Sequence, residues 1–392
     1  EFSNDSYQGY SSYKSRPPAD AARKLRANQA WFEFIPAVLS ELEDQPARDF
    51  RPVSLDAMPQ QANREAVDSL CIYRRLRWGR LLDILLTDNR SYRSAPCLPD
   101  GFAEDLGLPM NPSRLVEIAD AGRAYNGGKP PKFLPYGDGN VTNPGHDREP
   151  GTCLGEAQRR WFEQSLRDSS ASWKLWGNSL PLIPLRVDLS AIPFSDYEDS
   201  TLIIDSWAGY PHEQALLMQW LEQQQINGLV SFSGDHHMHG AGTVSASPSA
   251  ENPQALAVDF SCAGLSSTPM YEELLVVAKE GYPAFQPLVY RDSARGRDPV
   301  WNMTLLEGVQ AAFAYAKTGY RPLGRWLGPN SANPGLRYVD SAANGYGLGH
   351  FFADQLQVDL CTMDELRCDF SQAPPCLLYT SPSPRDLNPK LE

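Results

Sequence analysis

The sequence has no long apolar run. Hydrophobic residues make up 42% of its 392 positions, yet no stretch approaches the roughly 18 successive apolar residues that cross a bilayer. The longest, residues 81–86 and 202–204, have the length of strands. A basic surplus is missing as well. Thirty-five Lys and Arg stand against 48 Asp and Glu, a net charge of −13. Such a chain is a poor nucleic-acid binder unless its bases cluster, and the one basic run, residues 74–80, is short and interleaved with apolar side chains. Neither a nucleic-acid partner nor a membrane span is expected. The seven cysteines form no Cys-x-x-Cys pair, which argues against a zinc knuckle; Cys361 and Cys368 stand either as a disulfide or as buried thiols. There is no G-x-S-x-G elbow and no Walker A loop, since Gly127-Gly128-Lys129 lacks the upstream glycine and the following Ser or Thr. Histidine is scarce, with six in the chain.

What is present reads as α/β. Length alone gives a prior of two to three domains or one large α/β domain. Residues 20–35 read as a helix capped by Asp20, with Ala21, Leu25, Phe32 and Ile35 on one inward face. Residues 155–168 read as a second, with Trp161, Phe162 and Leu166 inward. A third starts at Pro211, with Leu216, Leu217, Trp220 and Leu221 as its stripe. Residues 81–87, 173–176, 201–204, 228–232 and 255–260 read as strands. Residues 96–151 are rich in Pro, Gly and Asn and read as loops with one short helix at 114–121. Alternating strands and helices argue for a layered fold.

Several of these strands end on polar residues: Asp88, Asn178, Asp205, and Asp235 with His237. Ligands of open α/β sheets bind beyond the carboxyl ends of strands. The sharpest local signal is Ser233–Gly240, SGDHHMHG, which holds three of the six histidines. On an extended segment Asp235 and His237 point the same way, and His239 continues that face. A carboxylate beside an imidazole suits a divalent or trivalent metal.

Taken together, these blocks resemble the PhoD-type alkaline phosphatases of the calcineurin-like metallophosphoesterase superfamily. Residues 1–5, EFSND, are similar to the back half of the family's DDHEFxND block. Residues 72–93 (IYRRLRWGRLLDILLTDNRSYR) are similar to its YRxLRxG…LDTRxYR segment, and residues 154–180 to LGxxQxxWLxxxLxxSxAxWKVxxNQ. Asp205–Pro211, DSWAGYP, is similar to DxWDGYP; residues 233–237, SGDHH, to SGDVH; and residues 333–346 to the closing NPxLKYxDxxxHGY. The resemblance implies two mixed β-sheets packed as a sandwich with flanking helices. It also implies metal-dependent hydrolysis of a small-molecule phosphate monoester or diester, with calcium and iron as the metals and a periplasmic or secreted location. Position by position it offers Asp235, His237, Asn178 and Asn4 as metal ligands, and Arg90 and Tyr210 as substrate contacts.

The departures set further expectations. The family's GDxxYxD block and the DDH before Glu1, with the histidine that the resemblance implies as general acid, are not in the sequence; Ala208 replaces an Asp and Asn344 a His. Residues 1–375 are therefore expected to form a metallophosphatase domain lacking its beginning, weakly active or inactive alone. The alternative is a non-catalytic binding or scaffold domain of the same fold. Residues 376–386, CLLYTSPSPRD, resemble the translation of a sequencing-library adapter, and residues 376–392 are read as a non-native tail.

Overall fold

The computed structural model describes residues 6–8, 10, 20–35, 50–56, 58–192, 197–248, 253–294, 296–327 and 330–363. Asn4, Cys368 and the segment 376–392 lie outside these.

A seven-stranded mixed sheet organises the chain. Its strands are β1 (Arg74–Trp78), β2 (Leu82–Leu86), β3 (Trp173–Gly177), β4 (Leu229–Ser233), β5 (His239–Val244), β6 (Ala257–Ser261) and β7 (Leu336–Asp340), in the spatial order β1-β2-β3-β4-β6-β5-β7. The central pairs β2/β3, β3/β4 and β4/β6 are parallel, and β1, β5 and β7 run antiparallel to their neighbours. Side-chain alternation gives the sheet two unlike faces. One carries Leu85, Trp176, Leu229, Ala257, Val244 and Leu336, all buried in the main core. Burying each such large side chain stabilises the fold by about 1.5–3 kcal/mol.

Among the helices are α1 (Ala21–Phe34), α2 (Pro59–Asp68), α3 (Ser113–Ala121), α4 (Glu156–Arg167), α5 (Pro211–Gln223) and α6 (Met270–Glu280), of which α4, α5 and α6 contribute buried residues to that core. On α4, Phe162 and Leu166 are fully buried, Phe162 lying 4.4 Å from the Trp176 ring. On α5, Leu217 and Leu221 are buried as the periodicity predicts, but Leu216 is 42% exposed and Met218 takes its place inside. The loop-rich stretch contains α3 as expected, and also the hairpin Phe133–Tyr136/Gly139–Thr142. The half-buried face of the sheet meets a second hairpin, β8 (Gly345–Phe351) and β9 (Leu356–Thr362). Phe351 packs on Trp173 and Phe232, and the Trp173 indole donates to the Phe352 carbonyl at 2.6 Å. Among the described residues this two-stranded hairpin stands where a sandwich would place a second large sheet. Cys97, Cys153, Cys262 and Cys361 are free thiols.

Two sequence expectations change. The strand at 201–204 is instead Asp199–Thr201, paired with Arg186–Asp188 in a small separate sheet. Asp205 therefore follows a turn, not a strand of the main sheet. Helix α1 has the predicted Asp20 cap, whose carboxylate accepts from the Arg23 amide at 3.0 Å, but it turns the other way. Its buried residues are Lys24 and Asn28, while Phe32 and Ile35 are 40% and 46% exposed. The inward face has polar partners to meet: Asn28 Nδ2 donates to the Ala66 carbonyl and to Ser69 Oγ, both at 3.0 Å.

Asp120, near the end of α3, ties the loops around α5. Its Oδ2 accepts from the His212 amide and its carbonyl from the Gly151 amide, both at 2.8 Å. Burial pushes its carboxyl up to about 7, the His212 amide opposing. The folded state therefore holds a proton the unfolded chain releases, and stability falls as pH rises from about 4 through about 7. Urea unfolding of Asp120→Asn should show a stability gain over the parent that grows by about 2–3 kcal/mol between pH 5 and 8. Parallel pH profiles would contradict this.

Candidate functional site

The site is assembled where β2, β3 and β4 end. After β2 the chain turns sharply at Asp88, whose Oδ1 accepts from the amides of Arg90 (3.0 Å) and Ser91 (2.8 Å). A side chain that bonds its own backbone two and three residues on is a turn former. Gln158 of α4 holds the turn from behind: its Oε1 accepts from the Asp88 amide at 2.7 Å and its Nε2 donates to the Asp88 carbonyl at 2.9 Å. The turn aims Arg90 away from the sheet.

Asp205 meets it from across the chain. Its Oδ2 accepts from Arg90 Nη1 at 2.5 Å and its Oδ1 from Arg93 Nη2 at 2.6 Å, while its carbonyl accepts from Arg93 Nη1 at 2.9 Å. Arg93 is fully buried. Arg90 Nη2 also reaches Asp235 Oδ1 at 3.4 Å. The tight turn after Asp205 needs Gly209, because a Cβ there would lie 1.8 Å from the Ile204 carbonyl oxygen. Tyr210, in the same turn, is fully buried with its hydroxyl donating to the Ser94 carbonyl at 2.8 Å. It is a wall of the core, not a contact within reach of the cavity.

The histidine-rich loop is not extended. Asp235 and His237 have φ of +69° and +50°, so the alternation that would align them with His239 does not apply. Non-glycine residues held there cost of order 1–3 kcal/mol each and cluster at functional sites. His237 Nδ1 donates to the Thr268 carbonyl at 2.8 Å, with Glu273 at 3.3 Å. That bond fixes the proton on Nδ1 and leaves the Nε2 lone pair available, the arrangement typical of a metal-ligating imidazole. Asn344 supports it indirectly, donating to the Gly264 and Ser267 carbonyls that lead into Thr268. His239 has a different task. Fully buried, it accepts from the Ala263 amide through Nδ1 and bonds the Cys361 carbonyl through Nε2. His236, one of the three histidines of this segment, was given no role by the sequence. It is buried with both ring nitrogens lacking a hydrogen-bond partner among the described residues. Burial lowers its pKa to about 4, His237 adding to the drop and Asp205 opposing it.

Asn178, at the end of β3, is buried; its Oδ1 accepts from the Trp207 indole at 3.2 Å and its backbone N–H donates to the Phe232 carbonyl. Among the described residues no three His, Cys, Asp or Glu side chains converge as a metal cluster. Arg90 and Asp235 do converge, on a cavity of about 360 Å³ also lined by Lys24, Asn28, Trp31 and Asp88. The role of Lys24 was not legible in the sequence, where it sits on the face predicted to point outward.

Comparison with known proteins accords with these blocks. The family model for PhoD-like phosphatase matches residues 1–294, and the chain belongs to that family. Alkaline phosphatase D of Bacillus subtilis (strain 168) is 21% identical over 215 residues, covering 55% of this chain and 26% of that protein. The chain thus spans about a quarter of that relative's length. The solved structure titled "Structure of PhoD" is 18% identical with a TM-score of 0.44, covering 71% of this chain and 41% of that one.

Removing one partner of a buried ion pair strands the other, at a cost of about 3–5 kcal/mol. Asp205→Ala is expected to lose that much in urea unfolding, and a loss under about 1 kcal/mol would contradict the clamp. His236→Leu should instead raise stability in metal-free protein by about 1 kcal/mol, since an unpaired buried polar group costs about 1–3 kcal/mol; a clear loss would show that the ring has a partner.

Proposed function

We propose that this chain carries a phosphoester-hydrolase site that works with bound metal ions, calcium and iron by family resemblance, on a small-molecule phosphate monoester or diester. The observation that carries the reading is the placing of the Arg90 guanidinium on a cavity beyond the parallel strand ends, facing Asp235. A guanidinium binds phosphoryl oxygens through paired, charge-assisted hydrogen bonds. Asp235 and His237 would hold a metal: the carboxylate is exposed beside the cavity and the imidazole already has its second nitrogen tied down. Asn178 and Asn4 join them by resemblance. When bound, such a metal polarises phosphoryl oxygens and lowers the pKa of a coordinated water.

The chain's own residues do the positioning. Asp205 and Asp235 share the Arg90 charge before substrate arrives, and an incoming phosphate competes with Asp235, the longer of the two contacts. Gln158 and Asp88 fix the backbone from which Arg90 projects. The calcineurin-like superfamily and a periplasmic or secreted location belong to the same reading. No helix among the described residues is long and apolar enough to cross a membrane.

Turnover of p-nitrophenyl phosphate with calcium and iron added tests this. Asp235→Asn and Arg90→Met should each lower the rate by about 100-fold, in line with losses seen when groups that organise metals and charge are removed, and chelation should abolish it. Rates unchanged by either substitution would overturn the proposal; absence of both turnover and metal binding would favour a non-catalytic binding domain.

A further inference from the structure

The cavity at Arg90 has two unlike walls. One is polar and comes from the strand ends, with Asp88, Asn89, Ser91 and Ser179 beside Arg90. The other comes from α1 and from the segment that follows α2. It carries Ala27, Trp31, Leu70 and Ile72. Leu70 is buried, while Ala27, Trp31 and Ile72 are half-buried and so remain open to a ligand. The polar residues that α1 brings to the same space are already engaged. Lys24 Nζ donates to Ser91 Oγ at 2.8 Å within the field of the Asp88 charge, and Asn28 is bonded to Ala66 and Ser69. What α1 leaves for a ligand is apolar surface, above all the Trp31 indole.

The volume calls for more than a phosphoryl group. At about 360 Å³ the cavity falls within the range of small-molecule sites. A phosphate has five heavy atoms; allowing each about 30 Å³, the share of one water in the liquid, it fills less than half of that space. Trp31 stands fixed beside the remainder. The Arg74 guanidinium lies over its ring, 5.7 Å from the centroid, a cation–π contact. Arg74 Nη1 also donates to the Ile72 carbonyl at 2.9 Å, so one guanidinium ties Trp31 to Ile72 across the apolar wall. Arg74 does not itself line the cavity. The surface that Trp31 offers there is therefore not the one the guanidinium covers.

We infer that Trp31 is a specificity-determining residue that binds the organic group of the substrate, and that this group is a planar aromatic ring. The inference rests on the phosphoester reading above and deepens it by naming the substrate class. The phosphoryl end lies against Arg90 on the polar wall, and the ring of the ester lies on Trp31, with Ala27 and Ile72 beside it. An alkyl group gains from burial on any apolar wall. A rigid indole held by Arg74 rewards a flat partner further, because aromatic rings attract one another in offset or edge-to-face contact beyond the area they bury.

Calorimetric titration of the whole chain, with calcium added, tests this without requiring turnover. The probes are methylphosphonate, cyclohexylphosphonate and phenylphosphonate, which share one phosphoryl end. Parent protein should bind phenylphosphonate about 10-fold more tightly than methylphosphonate, the gain expected from stacking on one aromatic side chain. Cyclohexylphosphonate, of similar size but without a π-face, should fall between them. Trp31→Ala should remove the preference for the phenyl compound and leave methylphosphonate binding within about 2-fold, whereas Trp31→Phe should keep most of it. Should Trp31→Ala not fold, Trp31→Leu supplies the same comparison. A parent that binds the phenyl and methyl compounds equally, or the phenyl and cyclohexyl compounds equally, would overturn the inference and leave the hydrolase reading standing. So would Trp31→Ala weakening all three ligands alike, which would show the indole to be structural only. Absence of binding to any of the three by the parent would overturn both.

Discussion

The grip of two arginines on Asp205 is the interaction on which the rest of the site depends. Arg90 and Arg93 lie three residues apart after β2, and Asp205 lies more than a hundred residues further along, on a turn that belongs to no strand of the main sheet. Arg93 is fully buried and touches both the carboxylate and the carbonyl of Asp205. A charge so deeply placed is costly unless its partner is fixed, and the fixing is done by the Gly209 turn and by Tyr210, wedged beneath it on the Ser94 carbonyl. Arg90 takes the other carboxylate oxygen. Its guanidinium is thereby held at the cavity mouth with its remaining edge toward Asp235.

Around this clamp, stability is repeatedly given up for placement. Lys24 is buried while three apolar residues of its own helix are exposed. Asp235 and His237 occupy left-handed backbone, and His236 is buried with no hydrogen-bond partner among the described residues. Each arrangement costs free energy that a purely structural sequence would avoid, and all lie at or beside the carboxyl ends of β2 and β4. In the core, Phe162, Trp176 and Trp207 pack edge to face or tilted, as aromatic rings prefer.

The sequence made much of the frame legible. Strands β2, β3 and β4, helices α4 and α5, and the residues at the strand ends follow from apolar runs, Pro211 and turn residues. The partners of Asp205 and Tyr210 did not follow, because a turn bonded to distant arginines leaves no local pattern. The inward face of α1 was misread for a related reason. Periodicity locates the apolar face, and here the buried face is the polar one, set by Asn28 on Ala66 and by Lys24 on Ser91. The alignment of Asp235, His237 and His239 failed because two residues at positive φ break the two-residue alternation of a strand. Their chemistry was legible from residue type, and their geometry was not. The long-range blocks, from the turn at Asp88 through Gln158 to Asp205, carried the family where no single short motif would have sufficed.

The most direct measurement is a crystal structure of this chain with inorganic phosphate bound. The account predicts phosphate in the cavity that Arg90 and Asp235 line, its oxygens on Arg90, with Arg90 still paired to Asp205 and its contact to Asp235 lengthened. Phosphate found elsewhere, with Arg90 closed on both carboxylates, would contradict it.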